Sequence, residues 1–219
     1  MAPRLPPVLF DLDGTIVDSA PGILASLAWT YEQLRMPVPP PAELLKWVGP
    51  PILDSFRDLA KLDEDESRYA LALYREHYRE VGVFDATPYP GVLDALRTIH
   101  DAGVPLSLAT SKPESAARLI LEHFEIDGAF TEITGASEDE VRSSKPDVVE
   151  EALRRLAARY ELERPVMVGD RIHDVEGAAE HEVPTVFVTW GYGSPAEAAG
   201  AIAAVDTASE LLAELALAG

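Results

Sequence analysis

The sequence predicts an α/β fold in which a parallel sheet is layered with helices and interrupted by an all-helical block. Three observations carry that expectation. From about residue 87 onward, short apolar runs of strand type alternate with segments of helical period, the pattern of parallel strands joined by helical crossovers. The run Val8-Leu9-Phe10 is apolar enough to be a strand buried on both faces, so it belongs to the same sheet. Between them, residues 16–86 show helical character and no good strand, which makes this block an insertion.

The elements follow in order. Residues 18–34 have helical spacing, with Ile23, Leu24, Leu27, Tyr31 and Leu34 on one face and Ser19 and Pro21 as entry signals. Prolines between 37 and 41 break the chain, and a short helical stretch over 42–48 leads into the rigid loop Gly49-Pro50-Pro51. Helical character resumes over 52–61, and a longer helix covers 63–81 with Ala70, Tyr74, Tyr78 and Val81 inward. Helices are then expected at 91–102, 114–124, 147–160 and 175–180, and strands at 105–109, 130–134, 165–168 and 185–188. The tail adds a helix near 195–199, a strand at 202–205 and a last helix from Ser209. The domain organisation is therefore a core of residues 1–15 and 87–219, with a helical domain of residues 16–86 inserted after the first strand. No internal repeat interrupts this reading.

Composition narrows the function classes. The 219 residues can hold a core domain with a smaller insertion, and 47% hydrophobic content is ample for burial. With 18 Lys plus Arg against 38 Asp plus Glu, the formal charge is −20, which disfavours nucleic acid and anionic membranes as partners. A small anionic substrate stays compatible if a metal and a few placed cations reverse the local field. The absence of cysteine removes disulfides and thiolate metal sites. The N-terminus lacks the pattern of a signal peptide and no run is long enough to span a membrane, so the expected location is the cytoplasm.

Four strand ends carry the polar residues. The first run continues into Asp11-Leu12-Asp13-Gly14-Thr15, placing two carboxylates at the mouth of the crevice where parallel sheets bind ligands. They are close enough to share a hard divalent cation; the plainer alternative is two solvated aspartates in a turn. The second end is Thr110-Ser111-Lys112-Pro113-Glu114, where Ser111 and Glu114 fit a capping box and a helix N-terminus offers an anion site. The third is Ser143-Ser144-Lys145-Pro146-Asp147, with Ser144 and Asp147 as a cap. Lys145 there opposes the helix dipole, so an anion should offset it; the plainer alternative is a surface lysine near Asp147. The fourth is Gly169-Asp170-Arg171-Ile172-His173-Asp174, where Asp174 suits an N-cap and Asp170 needs a partner. Acids, hydroxyls and a lysine on one rim suit phosphoryl chemistry.

In these four motifs, taken in order, the chain resembles the haloacid dehalogenase superfamily over nearly its whole length. The block at 16–86 is similar to the small cap of the phosphoglycolate phosphatase-like branch, and Gly191-Tyr192-Gly193 adds to that likeness. The resemblance implies a Rossmann-like doubly wound parallel sheet core with an inserted all-helical cap, and a magnesium-dependent phosphatase acting on a small phosphomonoester. It makes Asp11 the nucleophile that forms an aspartyl-phosphate and Asp13 the acid and base. Thr110, Ser111 and Lys145 would bind the phosphoryl oxygens, with Lys145 also neutralising the nucleophile. Magnesium would be held by Asp11, Asp170 and the backbone carbonyl of Asp13, with Asp174 supporting the metal site. Haloacid dehalogenases proper lack an acid matching Asp13, so its presence favours phosphoryl transfer. Alternatives are a phosphomutase of the same superfamily or a non-catalytic phosphoacceptor module; Asp13 and the inserted block speak against the latter.

The substrate should be selected by the block, with the 48–51 loop facing it. Phosphoglycolate is the named candidate by resemblance, beside nucleoside monophosphates and sugar phosphates. Lys46 and Arg57 flank the loop, where they could bind a substrate carboxylate or second anion, but solvated helix charges are the favoured reading. His173 reads as a local contact, and Trp47, Tyr74 and Tyr78 as the block's own core. A monomer and a homodimer suit such a chain equally.

Overall fold

The computed structural model describes residues 6–217; residues 1–5 and 218–219 of the expected core lie outside them. The central strand is β1 (Val8–Phe10). It pairs in parallel with β4 (Leu106–Pro113) on one side and β6 (Val166–Gly169) on the other, so that Val8 lies between Leu106 and Val166. With β5 (Glu132–Ala136), β7 (Thr185–Val188) and β8 (Ala203–Val205), these make a six-stranded parallel sheet in the order β5-β4-β1-β6-β7-β8. Val8, Leu9 and Phe10 are buried because helices cover both faces. Val8 and Phe10 join one apolar cluster and Leu9 the other, as the two-residue period requires. Each such side chain contributes roughly 1.5–3 kcal/mol by leaving water.

The helices α5 (Val92–Asp101), α6 (Glu114–His123), α7 (Lys145–Ala157), α8 (Ile172–Ala179) and α9 (Ala208–Leu217) alternate with these strands. Chain direction across the sheet reverses at β1: β4 and β5 build outward on one side, β6 to β8 on the other. That reversal opens a crevice at the carboxyl ends of β1, β4 and β6, where an open α/β sheet receives its ligand.

The helical block enters and leaves through one antiparallel pair, β2 (Val17–Asp18) with β3 (Thr87–Pro88). The expectation of no strand within 16–86 is corrected here, because a two-residue strand is too short to leave a periodic signature. Inside the block lie α1 (Ala20–Gln33), α2 (Pro41–Leu44), a 3-10 turn (Leu45–Trp47), α3 (Ile52–Asp58) and α4 (Glu64–Glu80). Asp63 starts α4 with a capping box: it accepts from Glu66 N at 2.9 Å, and Glu66 accepts from Asp63 N at 3.1 Å. Leu27, Tyr31, Trp47, Phe56 and Tyr74 are buried in the same large cluster. Trp47 stands edge-on to Tyr31 and Phe56. Gly22 and Gly82 let α1 approach the end of α4, since a Cβ on Gly22 would meet Gly82 O at 2.0 Å.

Several boundaries differ from expectation for physical reasons. Val81 is 58% exposed, because α4 ends at Glu80 and the chain turns away. The fifth strand begins at Glu132, not Phe130, and its burial extends to Ala136. β4 runs on through Ser111 to Pro113, so α6 starts without a side-chain cap and the Ser111–Glu114 capping box does not form. Glu114 instead faces Arg155 at 3.0 Å and Arg118 at 3.5 Å. Asp174 does not precede its helix but sits in the first turn of α8, where it accepts from Arg171 N at 3.0 Å.

Candidate active site

The rim of the crevice is assembled from backbone that can go nowhere else. Asp11 N donates to Val168 O at 2.9 Å, which continues the β1–β6 pairing one residue past the strand and holds Asp11 at the sheet edge. Gly14, with φ +92°, makes the following turn, and a Cβ there would strike the Asp170 carboxylate at 2.3 Å. Ser144 caps α7 by accepting from Asp147 N, which sets Lys145 in the first helical position.

These placements bring Asp11, Lys145, Asp170 and Asp174 together. Lys145 Nζ lies 2.6 Å from Asp11 Oδ1 and 2.8 Å from Asp174 Oδ1, and donates to Ala109 O at 3.1 Å. The anion that must offset a lysine at a helix N-terminus is thus a pair of aspartates. All four residues are buried, Asp170 completely. Burial pushes the Asp11 carboxyl up to about 6; Lys145 opposes this, while Asp174 and Asp13 reinforce it. Asp170 is also held well above the usual carboxylate range, by burial first and then by Asp174 and Asp11. Lys145 is raised despite burial, because Asp11 and Asp174 favour its charged form.

One lysine is too little positive charge for three buried carboxylates. Oxygens of Asp11, Asp170 and Asp174 lie within 4.8 Å of one another. Asp174 Oδ1 is sealed from solvent and, although Lys145 Nζ is close, receives no aligned hydrogen bond. An all-oxygen set with an unsatisfied buried acceptor fits a hard divalent cation. The Asp13 side chain is not in this group.

Asp13 is held separately. Its carboxylate accepts from Lys112 Nζ at 3.0 and 2.9 Å and from Ser19 Oγ at 2.5 Å. Lys112 was not singled out by sequence reasoning. Its signal lies in the alternation along β4: Thr110 and Lys112 are buried and Ser111 and Pro113 are not, so Thr110 and Lys112 share a face. Reading that segment as a loop before a helix cap hid the alternation. Lys112 Nζ also lies 4.6 Å from the centre of the Tyr78 ring. Burial works against its charge, but Asp13, Tyr78 and Tyr74 more than restore it and the lysine is raised.

Thr110 is buried beside this pair and accepts from Lys112 N at 3.3 Å. Ser111 faces a cavity of about 180 Å³ that opens between the helical block and the sheet edge and reaches Asp13 and Lys112. Gly49, Pro50 and Pro51 line it, as do Trp47, Tyr74 and Tyr78, which are core residues of the block with one side on the cavity. Lys46 is exposed and Arg57 is paired with Asp54 and Glu64, and neither lines the cavity. His173 is exposed and takes no part.

Two arginines join the block to the sheet edge. Arg171 Nη1 donates to Val48 O at 2.6 Å while its Nε donates to Glu197 at 2.9 Å. Across the cavity, Arg75 of α4 donates to Glu138 O at 3.0 Å and pairs with Glu140.

A family model described as haloacid dehalogenase-like hydrolase matches residues 8–188. The chain is 44% identical over 186 residues to the tyrosine-protein kinase PtkA of Mycobacterium tuberculosis, covering 85% of this chain but 62% of that protein. It is 36% identical over 196 residues to a 5'-nucleotidase of Pseudomonas aeruginosa, covering 89% and 87%. It is 30% identical over 209 residues to a phosphoglycolate phosphatase of Salmonella typhimurium, covering 84% and 81%. Among solved structures, a Clostridium acetobutylicum protein described as a predicted phosphatase superposes with a TM-score of 0.91 at 36% identity, covering 98% and 100%.

Proposed function

We propose a function from the premise these matches establish: the chain belongs to the haloacid dehalogenase-like hydrolase family. In this reading it is a phosphatase that hydrolyses a small phosphomonoester through an aspartyl-phosphate. Asp11 attacks phosphorus; the new bond forms to its carboxylate oxygen as the bond to the leaving alcohol breaks. Asp13 gives that alcohol its proton. Asp13 then takes a proton from water, whose oxygen bonds to phosphorus as the Asp11–phosphorus bond breaks. Thr110, Ser111 and Lys145 hold the phosphoryl oxygens. Magnesium would be held by Asp11, Asp170, Asp174 and the backbone carbonyl of Asp13, and when bound it supplies positive charge to the transferring group.

The observation that carries this reading is that Asp11 and Asp13, two residues apart, are bound to different lysines, Lys145 and Lys112. Two carboxylates with separate partners suit two tasks, nucleophile and proton carrier. Residues 16–86 act as a cap domain over a core of residues 1–15 and 87–219, with the leaving group in the cavity between them. Phosphoglycolate is one candidate, supported by the Salmonella relative. A nucleoside monophosphate is the other, supported by the Pseudomonas relative and by the aromatic and apolar wall of the cavity. A charge of −20, and the absence among described residues of a helix long and apolar enough to cross a membrane, support a cytoplasmic enzyme of phosphorylated metabolites, monomeric or homodimeric, without nucleic-acid or membrane partners.

The test is product release from phosphoglycolate, AMP and 4-nitrophenyl phosphate, with magnesium and with a chelator. Magnesium-dependent release of alcohol and phosphate in equal amounts is expected from at least one ester. Alcohol in excess of phosphate would mean transfer to another acceptor, as in a mutase or a kinase. No release from any ester would contradict the phosphatase reading.

A further inference from the structure

We propose that Tyr192 is a positioning residue for the proton-transfer step, acting by fixing the backbone of Ser19 at the start of α1 and so setting where the Ser19 hydroxyl holds Asp13. The inference rests on the reading of Asp13 as acid and base. A serine at a helix N-cap ordinarily turns its hydroxyl back onto the backbone N–H groups of the first turn. Ser19 occupies that position before α1 and makes no such bond; its hydroxyl goes to Asp13 Oδ1 at 2.5 Å. The donors that hydroxyl would serve are absent or taken: Pro21 has no N–H and Gly22 N donates to Asp85 O at 3.2 Å. The backbone at Ser19 and Ala20 is held by Tyr192, with Asp18 Oδ1 also accepting from Ala20 N at 3.2 Å. Tyr192 Oη accepts from Ser19 N at 2.8 Å and from Ala20 N at 3.0 Å, and donates to Asp18 Oδ1 at 2.8 Å. Two accepted bonds and one donated bond use the full capacity of a phenolic hydroxyl.

The other end of Tyr192 is fixed to the carboxylate cluster. Its backbone N–H donates to Asp170 Oδ2 at 2.7 Å. The flanking glycines let the loop lie against Asp170: a Cβ on Gly191 would fall 2.3 Å from Asp170 Oδ2, and one on Gly193 1.8 Å from Asp170 O. A rigid ring therefore spans from Asp170 to the point where the chain enters the helical block. Through Ser19, that span sets where the Asp13 carboxylate sits relative to Asp11 and Asp170.

The experiment is a leaving-group series. kcat/KM is measured on phosphomonoesters ranging from a nitrophenol to a simple alkanol, for wild type, Tyr192→Phe, Ser19→Ala and the double variant. Tyr192→Phe keeps the ring and the N–H to Asp170, so the affinity for magnesium itself, by calorimetry, should stay unchanged. An acid matters most when the leaving alkoxide is poor, and general acid catalysis contributes on the order of 10²–10⁴-fold. The alkyl esters should therefore lose about tenfold or more while the nitrophenyl ester changes by less than about twofold. Ser19→Ala should reproduce that pattern, and the double variant should lose no more than either single one. Equal losses on all esters, or no loss on any, would overturn the proposal. Asp13→Asn is run in the same series: if it shows no leaving-group dependence, the acid role fails and takes this inference with it. If it shows the dependence and Tyr192→Phe does not, this inference alone fails.

Discussion

Asp13 and Lys112 pair with each other at the rim, and both are nearly excluded from water, at 7% and 8% exposure. A buried carboxylate whose lysine is removed keeps its desolvation cost without its counter-charge. Lys112→Met should therefore lower stability to urea by about 3–5 kcal/mol, and adding Asp13→Asn should recover part of the loss. An unchanged unfolding midpoint in Lys112→Met would show that the pair contributes nothing. At this scale the acids were legible in the sequence because an apolar run followed by Asp11 or Asp170 leaves a carboxylate beside a buried strand. The partners of Asp13 were not legible, because Ser19 read as a helix cap and Lys112 as a loop residue. Tyr192 lies 173 residues from the serine it serves, a distance that no local pattern reports.

Between elements, the turn carrying Glu197 holds Arg171, which ties the segment after β6 to Val48 of the helical block. Glu197 accepts from Arg171 Nε at 2.9 Å, Ile172 N at 3.2 Å and Ser194 N at 2.9 Å. Burial alone would raise its carboxyl, but Arg171 and the two backbone N–H groups outweigh it and bring it down to about 2 from 4.5. A carboxyl depressed on folding stabilises the native state above its unfolded value, and that contribution is lost as pH falls from about 4.5 toward 2. Wild type should lose more stability than Glu197→Gln over that window, measured by denaturant midpoints at each pH. Parallel slopes for the two proteins would contradict the assignment. The sequence placed a helix near 195–199 and strand ends at 165–168, yet not the tie between them, since ion pairs across elements have no period. The β2–β3 pair was hidden for a related reason: two residues per strand give no alternation to read.

For the molecule as a whole, the reversal of strand order at β1 explains why chemistry gathers at one edge. Asp11 and Asp13 follow the strand at the switch point, and β4, α7 and β6 deliver Thr110, Lys145 and Asp170 to the same crevice. A chain with a formal charge of −20 concentrates two buried lysines there, which is where an anionic ester would need them. The alternation of strands and helices made this architecture readable before the structure, and the helical block was visible as its interruption. What the cavity between block and sheet selects depends on side chains brought together from distant segments, and the sequence left it open. In the proposed reaction Asp11 becomes phosphorylated. The direct measurement is an acid-quenched single turnover with phosphorus-labelled ester, followed by mapping of the labelled peptide. Label is expected on the peptide containing Asp11, and both label and turnover should be absent from Asp11→Asn. Turnover persisting in Asp11→Asn, with no covalent label at any time in wild type, would contradict that reaction.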